Sequence, residues 1–353
     1  MADWQREPEG FSCPLPKSDY QEVVLAHGGG GRLSRQLLEE WILPCLENPV
    51  LRQLGDSAVL NLEGLRLAFT TDSYTVAPLF FPGGDIGELA VYGTLNDLAV
   101  AGAQPRALSL ALILEEGLPL ETLHRILESI RRAAARLQVP VVTGDTKVVD
   151  RGKGDGVYIN TAGIGVVPPG RDPGPHRIRP GDHILINGPI GLHGLAILAA
   201  RQNLFPEETL KSDTGPVGPL IEALYEAGVE IHAMRDPTRG GVASVLNELA
   251  AQAGVGITLL EQELPVPPEV EGAAELLGLD PLYIANEGKV LIFVAEDQAD
   301  RALEVLRQHP LGREARDIGR VTEEHPGLVV LHTVIGGRRV VDLLSGEQLP
   351  RIC

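Results

Sequence analysis

The order of apolar and polar positions divides the chain into short alternating runs and longer runs at helical spacing. Residues 23–26 are a short apolar run that predicts a strand. Over 33–46, Leu33, Leu37, Leu38, Trp41, Ile42 and Cys45 recur at helical spacing, so a helix with Cys45 on its buried face is expected. Residues 56–62 and 65–72 read as paired strands turning at Glu63-Gly64. Helices are then predicted over 85–101 and 120–137. Strands are predicted over 108–114, 139–149 and 156–167, with 139–149 broken at Gly144-Asp145-Thr146-Lys147. The segment 168–180, PPGRDPGPHRIRP, has the composition of a semi-rigid linker. Beyond it, strands near 182–187, 230–234, 257–260, 289–294, 318–321 and 329–331 are interspersed with helices over 192–201, 217–227, 242–253 and 297–309.

Strands that come as hairpin pairs among helices point to an α+β fold and not a doubly wound one. The expected division is an irregular arm over 1–22, an N-terminal domain over 23–168 with a mixed or antiparallel sheet, and the linker over 169–180. A C-terminal α/β domain over 181–335 and a flexible tail over 336–353, hinged at Gly336-Gly337, complete it. Fully extended, the stretch after Gly337 spans roughly 50 Å at ~3.3 Å per residue. That is long enough to carry Cys353 to a site elsewhere on the molecule.

Composition narrows the function classes. A chain of 353 residues suits two domains, and 44% hydrophobic with 22% charged residues is an ordinary globular balance. The net charge of -18 argues against a general nucleic-acid binder. Cys13, Cys45 and Cys353 are too far apart in sequence to suggest a zinc site or a disulfide framework, and Cys13 reads as a free thiol. No signal core opens the chain and no run approaches a membrane span, so a soluble, cytoplasmic protein is expected.

The chemistry gathers in repeated short clusters. His27-Gly28-Gly29-Gly30-Gly31 leaves backbone open for close contact with an anion, without the Lys-Ser/Thr ending of a P-loop. Gly55-Asp56-Ser57, Thr70-Thr71-Asp72-Ser73, Thr94-Leu95-Asn96-Asp97, Gly144-Asp145-Thr146-Lys147 and Asp236-Pro237-Thr238-Arg239-Gly240-Gly241 share a carboxylate beside small or hydroxyl residues. Each alone reads equally as a turn or a helix cap. Together with the glycine run they favour a Mg²⁺-nucleotide site, because carboxylate and Asn oxygens are the ligands Mg²⁺ takes when it carries phosphates.

The segments HGGGG (27–31), FPGGDIGELAVYGTLNDLAVAGAQP (81–105), GDTKVVDRGKGDG (144–156), DPTRGGV (236–242), ANEGK (285–289) and the final PRIC resemble the HypE family of hydrogenase maturation factors. The likeness runs from about Leu25 to Cys353. The core segments alone would place the chain only among enzymes similar to aminoimidazole ribonucleotide synthetase. The resemblance implies a dimer whose N-terminal domains form its core. It implies ATP-dependent dehydration of an S-carbamoyl group on Cys353 to an S-cyano group, loaded by the carbamoyltransferase HypF and delivered to iron on a HypC–HypD scaffold. It assigns Asp56, Asp72, Asn96, Asp97, Asp145 and Asp236 to Mg²⁺-ATP, with Asp72 and Asp145 foremost for the metal, and Gly29 and Gly30 to the nucleotide. Lys147 contacts phosphate, and Arg239 binds phosphate or the tail. Glu287 is the first choice of base, with His27 a second base or substrate-positioning group. The glycine run reads HGGGG where the family has His-Gly-Ser/Gly-Gly-Gly; the lost hydroxyl is minor if the backbone N–H groups do the binding. Two other readings stay open: a sister kinase or synthetase acting on a small molecule, such as a selenophosphate synthetase, and a non-catalytic cyanide carrier.

Overall fold

A computed structural model describes residues 22–46, 48–206, 208–344 and 352–353. The run expected to open as a strand instead closes into a 3-10 turn, Leu25–Gly28. His27 Nδ1 accepts the Val24 N–H at 2.9 Å and folds the chain back. Helix α1 (Arg32–Leu37) continues through a wider turn, Leu38–Ile42, into α2 (Leu43–Leu46). The helical spacing here was legible but its apolar face is uncovered: Trp41 is 69% exposed, and Cys45, expected in a core, is exposed. No core residue occurs in these helices, so the periodicity finds no partner within the described chain.

The first sheet is built from β1 (Ala58–Leu62), β2 (Leu65–Tyr74), β5 (Gln104–Glu115), β6 (Val141–Val149) and β7 (Val157–Val166), in the order β1-β2-β7-β5-β6. A small hairpin, β3 (Phe80–Phe81) and β4 (Gly84–Asp85), precedes α3 (Ile86–Val100), and α4 (Leu120–Leu137) follows β5. Pairing is antiparallel except between β5 and β6. Glu63 and Gly64 turn the first hairpin with positive φ at both residues. The β6 strand is not broken at Gly144. A Cβ there would strike the Leu110 carbonyl, so glycine is what lets β6 run unbroken against β5. Asp85 caps α3, its carboxylate accepting the Gly87 and Glu88 N–H groups. α3 is buried on nearly every side: it lies on β2 and β7 and packs against α4 and a helix of the second domain. The opposite sheet face is open, with Phe69, Ile113 and Ile164 each exposed by more than 40%.

The second domain contains β8 (His183–Ile186), α5 (Leu192–Gln202), α6 (Gly218–Glu226), β9 (Ile231–Arg235), α7 (Gly241–Ala253) and β10 (Gly256–Leu260). After these come α8 (Pro268–Leu277), β11 (Leu291–Val294), α9 (Glu296–Gln308), β12 (Arg316–Thr322), β13 (Val329–His332) and β14 (Arg338–Val341). Its mixed sheet runs β14-β13-β10-β12-β8-β11-β9. Every residue of the central strands β8 and β11 is buried, because helices cover both faces. Each fully buried Leu or Ile there contributes ~1.5–3 kcal/mol. β14 corrects the expected tail boundary: residues 338–341 belong to this sheet. Gly336-Gly337 is the turn of the β13–β14 hairpin, tied by a Thr333 N–H to Gly337 carbonyl bond, and not a free hinge. The linker is packed as well. Arg66 of β2 holds Asp172 at 2.7 Å, and the Arg171 guanidinium pairs with Glu222 and lies 4.0 Å from the Tyr225 ring centre.

Candidate active site between the two domains

Four aspartates distant in sequence come together where the two sheets' loops meet. Asp56 precedes β1, Asp72 lies on β2, Asp97 sits in the last turn of α3, and Asp236 follows β9 directly. Burial raises Asp56, Asp97 and Asp236. Asp56 is pushed up to about 6 by burial, held back by Arg235. Asp97 and Asp236 lie well above the usual carboxylate range: Asp97 through burial, then Asp236, Asp72 and Asp56, and Asp236 through burial, then Asp56 and Asp72. The Thr70 hydroxyl oxygen lies 2.8 Å from the Asp56 carbonyl and 2.9 Å from Asp97 Oδ2, placed to donate to either. Tyr74 donates to Asp72 at 3.1 Å.

Such crowding of hard oxygen donors, short of positive charge, fits a divalent cation such as Mg²⁺. Among the described residues no three acidic side chains stand close enough to hold one ion. The fit therefore rests on donor chemistry and charge.

Cys353 enters the same cleft. Its thiol is pushed up to about 12 by burial, with Arg239 acting the other way and Glu287 and Asp72 adding to the rise. Arg239 is held more strongly protonated by Cys353 above all, then by Asp72 and Glu287, against the effect of its own burial. Glu287 is 4% exposed, and burial, then Asp236, Asp213 and Asp72, raise it well above the usual range. Its backbone is gripped from both sides: its N–H donates to Asp213 at 3.2 Å and its carbonyl accepts from Asn96 at 3.3 Å. Asp213 is paired with buried Lys289 at 3.0 Å. A weakly held tail is not what its last two residues show. Ile352 is 5% exposed among core side chains, and the Thr75 N–H donates to the Cys353 main-chain oxygen at 3.1 Å. Residues 345–351 lie outside the described residues.

The glycine run is laid against Asp-Pro-Thr-Arg-Gly-Gly. Gly30 has φ +73, and a Cβ on it would press on the Arg239 backbone, while Arg239 donates to the Gly28 carbonyl at 3.1 Å. Gly29 and Gly30 N–H groups are engaged locally, with the Ala26 carbonyl and the Ser34 hydroxyl. Beside the run, Gly30, Leu38, Leu51, Leu54, Gly55 and Glu248 border a cavity of about 340 Å³.

The single chain does not assemble every expected group. Asp145 and Lys147 lie on the exposed edge strand β6, paired with each other at 3.2 Å, and the Lys147 hydrogen bond holds Asp145 below its usual range. Three strand spacings separate them from Asp72. Asn96, expected on the nucleotide, has its side chain committed: it donates to the Gly215 and Glu287 carbonyls and accepts the Val217 N–H. It ties α3 to the second domain. His27 caps its own turn, its Nδ1 accepting the Val24 N–H. Sequence reasoning missed Arg235, which is 3.1 Å from both Asp56 and Glu248, as well as Asp213 and His193. Arg235 adjoins the Asp236 motif, a signal that could have been followed; the other two depend on tertiary contacts.

Family models of AIR synthase related proteins match the chain, the N-terminal domain over residues 54–167 and the C-terminal domain over 179–331. Carbamoyl dehydratase HypE of Azotobacter vinelandii is 52% identical over 94% of this chain and 97% of its own length. A crystal structure of hydrogenase maturation protein HypE in complex with ATP superposes with a TM-score of 0.79 at 47% identity, covering 94% of this chain and 100% of that one. The crystal structure of a HypE–HypF complex gives a TM-score of 0.83 at 45% identity, over 87% of this chain and 99% of the other. The full-length identity and the shared two-domain fold place this chain in the HypE family of carbamoyl dehydratases.

Proposed function

We propose that this protein is an ATP-dependent carbamoyl dehydratase whose substrate is carried on its own Cys353. The observation that carries the reading is the placement of Cys353 beside Arg239 and Glu287, in the cleft that also gathers the four aspartates. The carbamoyl oxygen attacks the γ-phosphorus of ATP. A C–O–P link forms and ADP leaves, turning a poor leaving group into phosphate. The amide nitrogen then gives up its two protons, the C–O bond breaks, and C≡N forms. The balance is Cys–S–C(O)NH₂ + ATP → Cys–S–C≡N + ADP + phosphate + H⁺.

Glu287 is the group placed to take the nitrogen protons; a carboxyl whose pKa is raised is a stronger base once ionised. Arg239 offers charge to phosphate beside the sulfur. One or two of Asp56, Asp72, Asp97 and Asp236 at a time would hold Mg²⁺ together with the nucleotide's phosphates, whose charge it neutralises when bound. The cavity beside Gly30 has the apolar walls a nucleoside base needs.

The open sheet face and the bare β6 edge suit a second copy of the chain. In a homodimer built there, Asp145 and Lys147 reach the partner's nucleotide and not their own. A HypF-type carbamoyltransferase loads the thiol and a HypC–HypD-type scaffold receives the cyanide. Among the described residues no helix is long and apolar enough to cross a membrane; we place the reaction in the cytoplasm. Mass spectrometry of the carbamoylated C-terminal peptide tests the core of the reading. Loss of one water on adding Mg²⁺-ATP is expected, and an unchanged mass overturns it. A sister kinase would instead keep its nucleotide turnover in Cys353→Ala.

A further inference from the structure

The mechanism above leaves one buried, polar, well-connected side chain unused. His193, in the first turn of α5, is 0% exposed. Its Nε2 lies 2.7 Å from the Ile352 carbonyl and its Nδ1 2.8 Å from the Ser212 hydroxyl. The direction of this chain can be worked out. A carbonyl only accepts, so Nε2 carries the proton. The neutral ring then accepts at Nδ1, so Ser212 donates to it. Ser212 oxygen accepts in turn from the Thr214 N–H at 3.0 Å, and its hydroxyl partner Thr214 is 2.7 Å away. The ring is braced edge-on against Phe81, with centroids 5.7 Å apart and planes at 84°. Ile352 itself sits in the apolar cluster around this ring, and the Thr75 N–H takes the next main-chain oxygen, that of Cys353.

We infer that His193 is a positioning residue that latches the tail: it grips the Ile352 carbonyl while the Ile352 side chain fills an apolar seat, fixing the group on Cys353 against Arg239 and Glu287. The role rests on the dehydratase reading for its purpose, but the latch itself is independent of it. Burial of the donor explains why the latch discriminates between tail-in and tail-out. When the tail leaves, a buried N–H loses its acceptor, and the apolar seat opens to water. Ser212 and Thr214 set the tautomer so that the donating edge faces the tail without any proton being gained or lost. Because the bond is to main chain, the latch reads the backbone position of the tail, while Ile352 supplies its side-chain preference.

The test uses the full-length, unmodified protein. Iodoacetamide alkylation of Cys353 is followed by peptide mass spectrometry, with exposed Cys45 as the internal reference. The Cys353:Cys45 rate ratio is expected to rise about tenfold in His193→Phe and in Ile352→Ala. It should return to within about twofold of the parent in His193→Gln, whose amide can still donate to the carbonyl. A ratio unchanged in both His193→Phe and Ile352→Ala overturns the latch. If His193→Phe does not fold, Ile352→Ala, which changes only the tail, decides alone. Single-turnover loss of water from the carbamoylated protein should slow in His193→Phe and recover in His193→Gln. A purely structural role would leave that recovery unrelated to the alkylation ratio, and this outcome would also overturn the proposal. If the alkylation ratios behave as expected but the parent never loses water with Mg²⁺-ATP, the latch stands and the dehydratase reading falls.

Discussion

Gly55-Asp56-Ser57 and Gly144-Asp145-Thr146 look alike as text and differ in every physical respect. Asp56 is enclosed, pushed up to about 6 by burial, and engaged by Arg235. Asp145 stands in water on an outer strand, held below its usual range by the Lys147 hydrogen bond. The first sits buried among other carboxylates with Arg235 beside it; the second is paired with Lys147 in water. A shared motif therefore says which atoms are offered, while the surroundings decide whether a ligand is needed.

The strongest way to test that contrast is to remove the base in the enclosed site. Glu287→Gln should slow single-turnover dehydration by about 10²- to 10⁴-fold, and a loss under tenfold would remove Glu287 from the chemistry. Next comes the question of whether Asp145 is idle or borrowed. Asp145→Asn and Glu287→Gln, each inactive alone, should recover about a quarter of parent activity when unfolded and refolded together. Half of the dimers are then mixed and each carries one intact site. Absence of recovery would deny Asp145 a role across a dimer.

A smaller effect concerns stability. Asp97→Asn should stabilise the cation-free protein by about 1 kcal/mol at pH 8 while abolishing ATP turnover, since it removes a charge that burial and its neighbours disfavour. The sign follows from linkage: Asp56 binds its proton more tightly folded than unfolded. Its contribution is therefore undiminished below pH ~4 and is lost as pH rises through about 6. Thermal melting from pH 4 to 8 should show a fall from this cluster that Asp97→Asn flattens and Mg²⁺-ATP offsets. Smallest of all, Asp145→Asn should move the stability of the monomer by less than about 0.5 kcal/mol, because its pair is exposed.

Much of this was legible beforehand. Residues 120–137 formed the expected helix because a strong amphipathic stripe meets a partner, α3, that covers it. Asp56 and Asp236, which flank β1 and β9, were recognisable because turns that display carboxylates have few residue choices. Cys45 was misread since helical spacing records a preference for burial and cannot supply the surface that satisfies it. β14 was hidden because Gly336-Gly337 reads equally as a hinge or as a hairpin turn. His193 was not singled out and Asn96 was expected on the nucleotide: nothing near either in sequence hints at Ile352 or at the Glu287 loop.

Asn96 has one more consequence. A single side chain fastens α3 to residues 215–217 and to the Glu287 carbonyl. Any separation of the two domains must undo those bonds, and with them one of the two holds on the Glu287 backbone. In the proposed dehydratase, seating α3 against the second domain and setting the Glu287 backbone would then be one event and not two.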